Sequence, residues 1–344
     1  MPQTSDTNRR FVLAERPLGL PNDKTLRLEE GPVPVPGPGE MLVRSLYLSL
    51  DPYMRGRMND AKSYATPVAI GDVMTGQVVG EVVASNLDGY AVGEYVLNGS
   101  GWQDYAISDG TNVMALGRAP EQPSWRLGIL GMPGYTAYAG LLKLGEPKPG
   151  ETVVVAAASG PVGATVGQIA KIKGCRAVGV AGGPEKCRHV VENLGFDACI
   201  DHQAEDFAAQ LAAACPDGID VYFENVGGEV LFGVLPLLNP FARMSVCGIV
   251  SWYNLAGLPE GPDRAAQIMG TILRMKVKVQ GFIIFDSFGP ETYREFVGDM
   301  TTWLAEGKVQ YKEQMVEGLE AAPAALNDVL VGRSFGKVVV RIAD

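Results

Sequence analysis

The chain has 344 residues, 47% of them hydrophobic and 20% charged, the balance of a water-soluble globular protein long enough for two domains and a large core. Twenty-nine basic against 39 acidic residues leave a net charge of −10, which argues against a nucleic-acid surface or an anionic membrane as partner. No apolar run reaches membrane-spanning length and the polar start, residues 1–10, lacks the apolar centre of a signal peptide, so a cytoplasmic location is expected.

Five cysteines (Cys175, Cys187, Cys199, Cys215 and Cys247) occur without a C-x-x-C pair. Their odd number and scatter read as reduced thiols, not a disulfide frame. The two histidines are His189 and His202, and nothing before Cys175 is a Cys or His. A catalytic zinc needs a cluster of such ligands, so none is expected.

Residues 11–120 lack long helical periodicity. Short β-rich runs at 11–14, 41–50, 74–84, 94–97 and 102–107 alternate with turn signals, which predicts a small barrel or sandwich. The proline-rich stretch 32–39 reads as a surface turn. Within this region L-S-L-D-P-Y-M-R-G-R-M, from Leu48 to Met58, gathers Asp51, Tyr53, two arginines and two methionines just after a strand. Loops on rigid scaffolds often carry function, but the segment taken alone reads equally as a turn with core methionines. Tyr64 follows in a second polar-aromatic loop.

From Ser124 the character changes. A helical stretch is predicted through Leu144, and a proline-rich turn at 146–151 leads into T-V-V-V-A-A-A-S-G-P-V-G-A-T-V-G-Q-I-A-K. The apolar run 153–158 reads as a buried parallel strand. Ser159, Gly160, Pro161, Val162 and Gly163 then turn into a helix whose period is set by Val162, Val166, Ile169 and Ala170. A strand turning tightly into a helix leaves backbone N–H groups that hold a phosphate. The spacing Ala157-x-x-Gly160-x-x-Gly163 is a variant of the dinucleotide fingerprint, with Gly160 open to a pyrophosphate and Gly163 and Gly167 allowing close helix packing on the sheet.

A second strand, 176–181, ends in Ala181-Gly182-Gly183, with Lys186 and Arg188 just beyond and Glu185 placed for the first turn of the next helix. Glycines and a nearby cation at this strand end suit the 2′-phosphate of NADP, where an acid would suit NAD. The cofactor reads as NADPH. Strands and helices then alternate: strands at 198–200, 219–224 and 242–246, helices at 185–194, 207–214 and 230–238. This alternation predicts a doubly wound parallel sheet. Two strand ends, E-N-V-G-G around Asn225 and C-G-I-V-S-W-Y-N from Cys247 to Asn254, should face the cofactor. Asn225 and Tyr253 can bond its ribose or phosphates, or cap their own loops. A later strand, 277–285, is apolar on both faces and suits an edge that needs a partner chain. Helices at 292–306 and 318–331 follow, and a final strand, 335–342, is expected to return to the first domain.

Taken together, LSLDPYMRGRM, GMPGYTAY, the glycine-rich stretch through AGGPEKC, ENVGG, CGIVSWYN, QGFII and FGKVVV are similar to the zinc-independent medium-chain dehydrogenases/reductases. Within them, the chain resembles the leukotriene B4 dehydrogenase/prostaglandin reductase and plant double-bond reductase group. The resemblance spans nearly the whole chain. It implies a GroES-like β-barrel domain (residues 1–128 and 309–344) joined to a Rossmann α/β domain (129–308), with the active site in the cleft between them. It also implies a homodimer through Rossmann sheet edges near QGFII. The implied reaction is metal-independent, NADPH-dependent reduction of the C=C bond of α,β-unsaturated ketones and aldehydes, such as curcumin-type enones and 2-alkenals.

By position, the resemblance places cofactor contacts on Ser159 to Gly163, Gly182, Lys186, His202, Asn225, Cys247, Tyr253 and Ser334. The family's pocket tyrosine falls on Tyr53. Three positions depart from the pattern: Arg274 and His202 stand where relatives have tyrosines, and Ser334 where they have asparagine. Hydride addition to the β-carbon builds charge on the carbonyl oxygen, which hydroxyl donors stabilise. Tyr53, Tyr64, Tyr253 or water can supply the α-proton, Tyr53 first among them. A quinone reductase of the same superfamily and a non-catalytic NADPH-binding sensor or scaffold are the alternatives.

Overall fold

The computed structural model describes residues 6–343, so the first five residues of the polar start and the last residue lie outside the described residues. The chain forms two compact units, Met1–Gly128 with Glu313–Asp344, and Ile129–Lys312.

In the first unit β1 (Thr7–Leu13) and β2 (Leu26–Pro32) form an antiparallel ribbon. The alternating charges of β2 (Arg27, Glu29) gave no strand signal in the sequence. β3 (Met41–Ser49) is the central strand, with Leu42, Val43, Leu46 and Leu48 among its side chains, and is buried along most of its length. After it the chain makes a short helix, α1 (Tyr53–Arg57), where only a turn was expected. β4 (Val78–Ser85), β5 (Tyr95–Asn98), β6 (Tyr105–Ser108) and β7 (Met114–Gly117) complete the first pass. The stretch beyond Pro32 to Gly39 holds no strand or helix and carries no regular pairing.

The second unit begins with α2 (Met132–Ala139), which runs on as a π-helical turn over Gly140–Gly145. Gly140 is where two aromatic rings close on the helix: a Cβ there would lie 2.5 Å from Phe282 and 2.8 Å from Phe223. Then come β8 (Thr152–Ala156), α3 (Pro161–Ile172), β9 (Arg176–Ala181), α4 (Pro184–Glu192), β10 (Ala198–Asp201), α5 (Phe207–Ala214), β11 (Ile219–Glu224), α6 (Gly228–Val234) and β12 (Leu238–Val246). α7 (Ala265–Met275), β13 (Lys278–Gly281), α8 (Ile284–Ser287) and α9 (Pro290–Ala305) follow. The strands pair in parallel in the order β10-β9-β8-β11-β12-β13. The winding reverses between β8 and β11, and in such sheets ligands bind outside the carboxyl ends of the strands at that point.

One sequence expectation is corrected here. The strand expected over 277–285 stops at Gly281, and Ile284–Ser287 is helical. β13 is exposed at every position, not apolar on both faces. The apolar residues Phe282 and Ile284 are buried beyond the strand, where Phe282 packs edge-on against Phe223.

The chain then returns to the first unit as β14 (Glu313–Glu317), α10 (Ala322–Leu330) and β15 (Lys337–Arg341). β15 lies antiparallel to β3, pairing Val339 with Ser49 and Val340 with Leu48. The resulting sheet has the order β14-β15-β3-β4-β5-β7, with β6 also on β3. Its core joins Leu48, Met54, Trp102, Leu326 and Val340.

Candidate active site

The nucleotide turn is built at the end of β8. Val153, Val154 and Val155 are fully buried, each contributing roughly 1.5–3 kcal/mol, so the strand end is rigidly placed. Ala157 then takes a φ of +54°, a conformation that costs a non-glycine residue about 1–2 kcal/mol. It occupies the bend for which the dinucleotide fingerprint normally uses its first glycine. The bend aims the Ala157 carbonyl back into the turn, where Gly160 N–H donates to it at 2.9 Å.

The glycines have different jobs. A Cβ on Gly163 would lie 2.3 Å from the Ala157 oxygen, so this position tolerates no side chain. Gly167 packs on the ring of Phe196, with its missing Cβ only 1.8 Å from the ring. Gly160 is open: its Cβ would meet nothing within 4 Å except the Ala157 oxygen, at 3.3 Å. Gly160 is also the N-cap of α3, Pro161 starts the helix, and no side chain caps it. Helix geometry leaves the N–H groups of Val162 and Gly163 without intrahelical acceptors. An open glycine, free N–H groups and a helix N-terminus fit a pyrophosphate.

At the end of β9, Gly183 has a φ of +90° and caps α4, with Glu185 in the first helical turn. Asp201, at the end of β10, accepts the N–H of Gly183 at 2.9 Å and of Gln203 at 3.0 Å. Burial opposes its charge, but those N–H donors hold its carboxyl below the ordinary range. Asp201 escaped the sequence reading, although an acid closing a short strand was its visible signal. Gly182 sits beneath His202, whose Nε2 would be 3.0 Å from a Cβ there. The half-buried Lys186 belongs to the same turn, and burial lowers its ammonium pKa from the ordinary lysine value. Gly182 and His202 are thus brought together, with Lys186 in the first turn of the helix that follows Gly183.

The ends of β11 and β12 are laced to one another. Asn225 Nδ2 donates to the Ala156 carbonyl at 2.8 Å and so joins the end of β11 to that of β8. Glu224, buried and also unanticipated, accepts the N–H groups of Val226 and Gly227 through Oε1 at 2.6 and 2.9 Å. Burial raises its carboxyl pKa, and the buried Tyr222 hydroxyl lies beside it. Its signal was an acid ending the apolar run I-D-V-Y-F-E. From the other strand, Cys247 and Gly248 N–H donate to the Glu224 carbonyl, and Ser251 Oγ donates to Val226 O at 2.6 Å. Burial pushes the Cys247 thiol up to about 12, so it is neutral and no nucleophile. The Tyr253 hydroxyl lies over Gly248, accepting the N–H of Ile249 at 3.5 Å.

Tyr53, Tyr64 and Ser334 belong to the first unit. Tyr53 opens α1. Burial first, then the neighbouring Asp51 and Tyr64, raises its phenol above the ordinary tyrosine value. Tyr64 is itself exposed. Asp51 is held by a buried lysine that the sequence reading did not single out: Lys337 Nζ donates to Asp51 Oδ1 at 2.9 Å and to Leu50 O at 2.7 Å. Ser49 Oγ donates to the other Asp51 oxygen. Ser334 N–H donates to Asp328 O between α10 and β15. Arg274 is exposed in the last turn of α7.

Among the described residues, no group of three or more His, Cys, Asp or Glu could hold a metal ion, so the donor set does not fit zinc. No helix of the described residues is long and apolar enough to cross a membrane.

Residues 9–116 match the family model "N-terminal domain of oxidoreductase" and residues 161–302 match "Zinc-binding dehydrogenase". The chain is 58% identical over 343 residues to the NADPH-dependent curcumin reductase of Escherichia coli strain K12, covering 100% of this chain and 99% of that one. It is 37% identical to the NADP(+)-dependent 2-alkenal reductase of Nicotiana tabacum, covering 98% of each. The structure of CurA from Vibrio vulnificus in complex with NADPH superposes with a TM-score of 0.95 at 56% identity, over 98% of this chain and 99% of that one.

Proposed function

The chain belongs to the medium-chain dehydrogenase/reductase family, among the prostaglandin, 2-alkenal and curcumin reductases, and we infer that it reduces the C=C bond of α,β-unsaturated ketones and aldehydes with NADPH. The observation that carries the reading is the open glycine turn after β8 together with Gly182 after β9, Lys186 in the first turn of α4 and His202 after β10, a set that suits a 2′-phosphorylated dinucleotide. NADPH, when bound, supplies the hydride.

The chain's own residues do the rest. The turn from Ser159 to Gly163 holds the pyrophosphate with its backbone N–H groups, and Lys186 with His202 meets the 2′-phosphate. Asn225, Cys247 and Tyr253 are assigned to the strand ends that orient the cofactor, and Ser334 is assigned a further cofactor contact. Tyr53 holds its proton at neutral pH and is assigned to the developing enolate, with Tyr64 as the next candidate. A donor already in place where charge develops needs no reorganisation during the reaction.

We assign a homodimer formed along the β13 edge. β13 pairs only with β12 among the described strands and is exposed at each position, the condition in which an edge strand takes up another chain. Val279→Pro removes a strand donor on the open side, since the N–H of Phe282 faces β12 and alternate residues face away from it, and should yield monomers by light scattering. A dimer that survives this change forms elsewhere. A cytoplasmic location completes the assignment.

The deciding assay follows NADPH absorbance with curcumin, a medium-chain 2-alkenal and a quinone, beside NADH and a chelator. Chelator-resistant turnover of the enones, much faster with NADPH, is expected. Turnover of the quinone alone makes it a quinone reductase, and NADPH binding with no turnover makes it a sensor.

A further inference from the structure

Two of the five thiols meet beside the 2′-phosphate end of the nucleotide site. Cys187 lies in the first turns of α4, one helical turn before the buried Val190 and therefore on the same sheet-facing stripe. Cys199 stands on β10, in register with Gly179 of β9. Gly179 has no side chain, and a Cβ there would lie 3.1 Å from Val190 and 3.2 Å from Cys199 Sγ. The missing methyl thus leaves room between sheet and helix, which the Cys199 sulfur enters beside Val190 of α4, one helical turn from Cys187. The two thiols are hydrogen-bonded to each other.

The pair is chemically unequal. Cys199 donates to Cys187, which, with help from the Ala181 backbone, lowers the Cys187 thiol below the ordinary cysteine value against the opposing effects of burial and Asp201. The same hydrogen bond, then burial, raises Cys199. Cys187 is half-buried near a helix N-terminus, the setting of a reactive thiolate. Cys175 and Cys215 are each pushed up to about 11 by burial and serve as inert comparisons.

We propose that Cys187 and Cys199 form a redox-active thiol pair that reacts with hydroperoxides and, once joined as a disulfide, weakens NADPH binding. Cys187 thiolate attacks the outer oxygen of ROOH, the O–O bond breaks, and ROH leaves with a proton while Cys187 becomes a sulfenic acid. The Cys199 sulfur then attacks that sulfur, the S–O bond breaks, and hydroxide takes the Cys199 proton to leave as water. Two thiols are oxidised to one disulfide and one peroxide is reduced to an alcohol and water. A dithiol reverses the disulfide by exchange. Joining draws the sulfurs from hydrogen-bonding separation to about 2.05 Å, and the first turn of α4 moves with Cys187. Lys186 is the preceding residue, so its approach to the 2′-phosphate is spoiled; this consequence rests on the cofactor role given to Lys186 above.

The test treats the full-length protein with tert-butyl hydroperoxide, maps thiols by peptide mass spectrometry, and measures the KM for NADPH before and after dithiothreitol. The expected result is a Cys187–Cys199 disulfide and a rise in KM of about tenfold, the order of one charge-assisted hydrogen bond. The rise should reverse with dithiothreitol and be absent in Cys187→Ser and Cys199→Ser, which keep their untreated KM. Both thiols remaining alkylatable after peroxide overturns the proposal, as does a mapped disulfide with unchanged KM. Reduced Lys186→Ala separates the two readings: an unchanged NADPH KM there removes the lysine's role and leaves disulfide formation to be judged by the mapping alone.

Discussion

Lys337 Nζ donates to Asp51 Oδ1 at 2.9 Å while the two side chains are only 0% and 6% exposed. The bond joins the start of β15 to the turn before α1, residues nearly the whole chain apart in sequence. Removing one member of a buried ion pair leaves an uncompensated charge, at a cost of about 3–5 kcal/mol. Lys337→Met should therefore lower the urea midpoint of the unit that holds it, and a second change, Asp51→Leu, should recover much of the loss. A loss below about 1 kcal/mol in the single variant would show that the pair is not structurally needed.

The two turn glycines should separate cleanly. Gly163→Ala drives a Cβ into the Ala157 carbonyl at 2.3 Å and should destabilise the protein even without cofactor, by about 1–3 kcal/mol of overpacking. Gly160→Ala has a single, milder contact at 3.3 Å, so the melting temperature of the cofactor-free protein should hardly move while NADPH affinity falls. Equal affinity in Gly160→Ala and wild type, by fluorescence titration, would take the pyrophosphate away from this turn.

Lys186→Ala should raise the KM for NADPH by about 10- to 100-fold, the worth of one to two charged hydrogen bonds. The KM for NADH should stay where it is, since that cofactor carries no 2′-phosphate for the lysine to meet. Parallel loss with both cofactors would mean that the substitution disturbs α4 itself.

Tyr53 holds its proton more tightly than an ordinary phenol because burial disfavours the phenolate. The acid form is therefore full at neutral pH and stays so above it. Steady-state kcat should show no ionisation of this donor from pH 6 to about 9. Tyr53→Phe should lower kcat about 100-fold with little change in NADPH affinity. Unchanged enone turnover in this variant would pass the role to Tyr64, Tyr253 or water.

Glu224 has a folded pKa raised above its ordinary carboxyl value of about 4.3, chiefly by burial. Below the unfolded value it is protonated in both states. As pH rises the unfolded chain ionises first, so stability from this group is lost through the folded pKa. Glu224→Gln keeps an acceptor for Val226 and Gly227 N–H. It should match wild type near pH 4 and exceed it at pH 8 in urea melts. A variant less stable than wild type at pH 8 would mean the N–H groups need the full charge.

The local and periodic features were legible in the chain itself. Runs such as Val153–Val154–Val155 declare a buried strand because parallel sheets are covered on both faces. Gly160, Gly163 and Gly182-Gly183 mark where backbone must come close or turn, and β9, α5 and β11 stand at the bounds that periodicity sets. Other features depend on contacts that no local pattern encodes. Phe196 as the ring that closes on Gly167, and Asp51 as the partner of Lys337, are two of them. The Cys199 sulfur comes beside Val190 of α4 only because β10 aligns with Gly179, which has no side chain. The strand that was expected to run to 285 ends at Gly281 because the burial of Phe282 and Ile284 outweighs their β-propensity. Propensity and periodicity act over a few residues and are written in the sequence, whereas burial, charge pairing and thiol chemistry arise from neighbours that only the folded chain brings together.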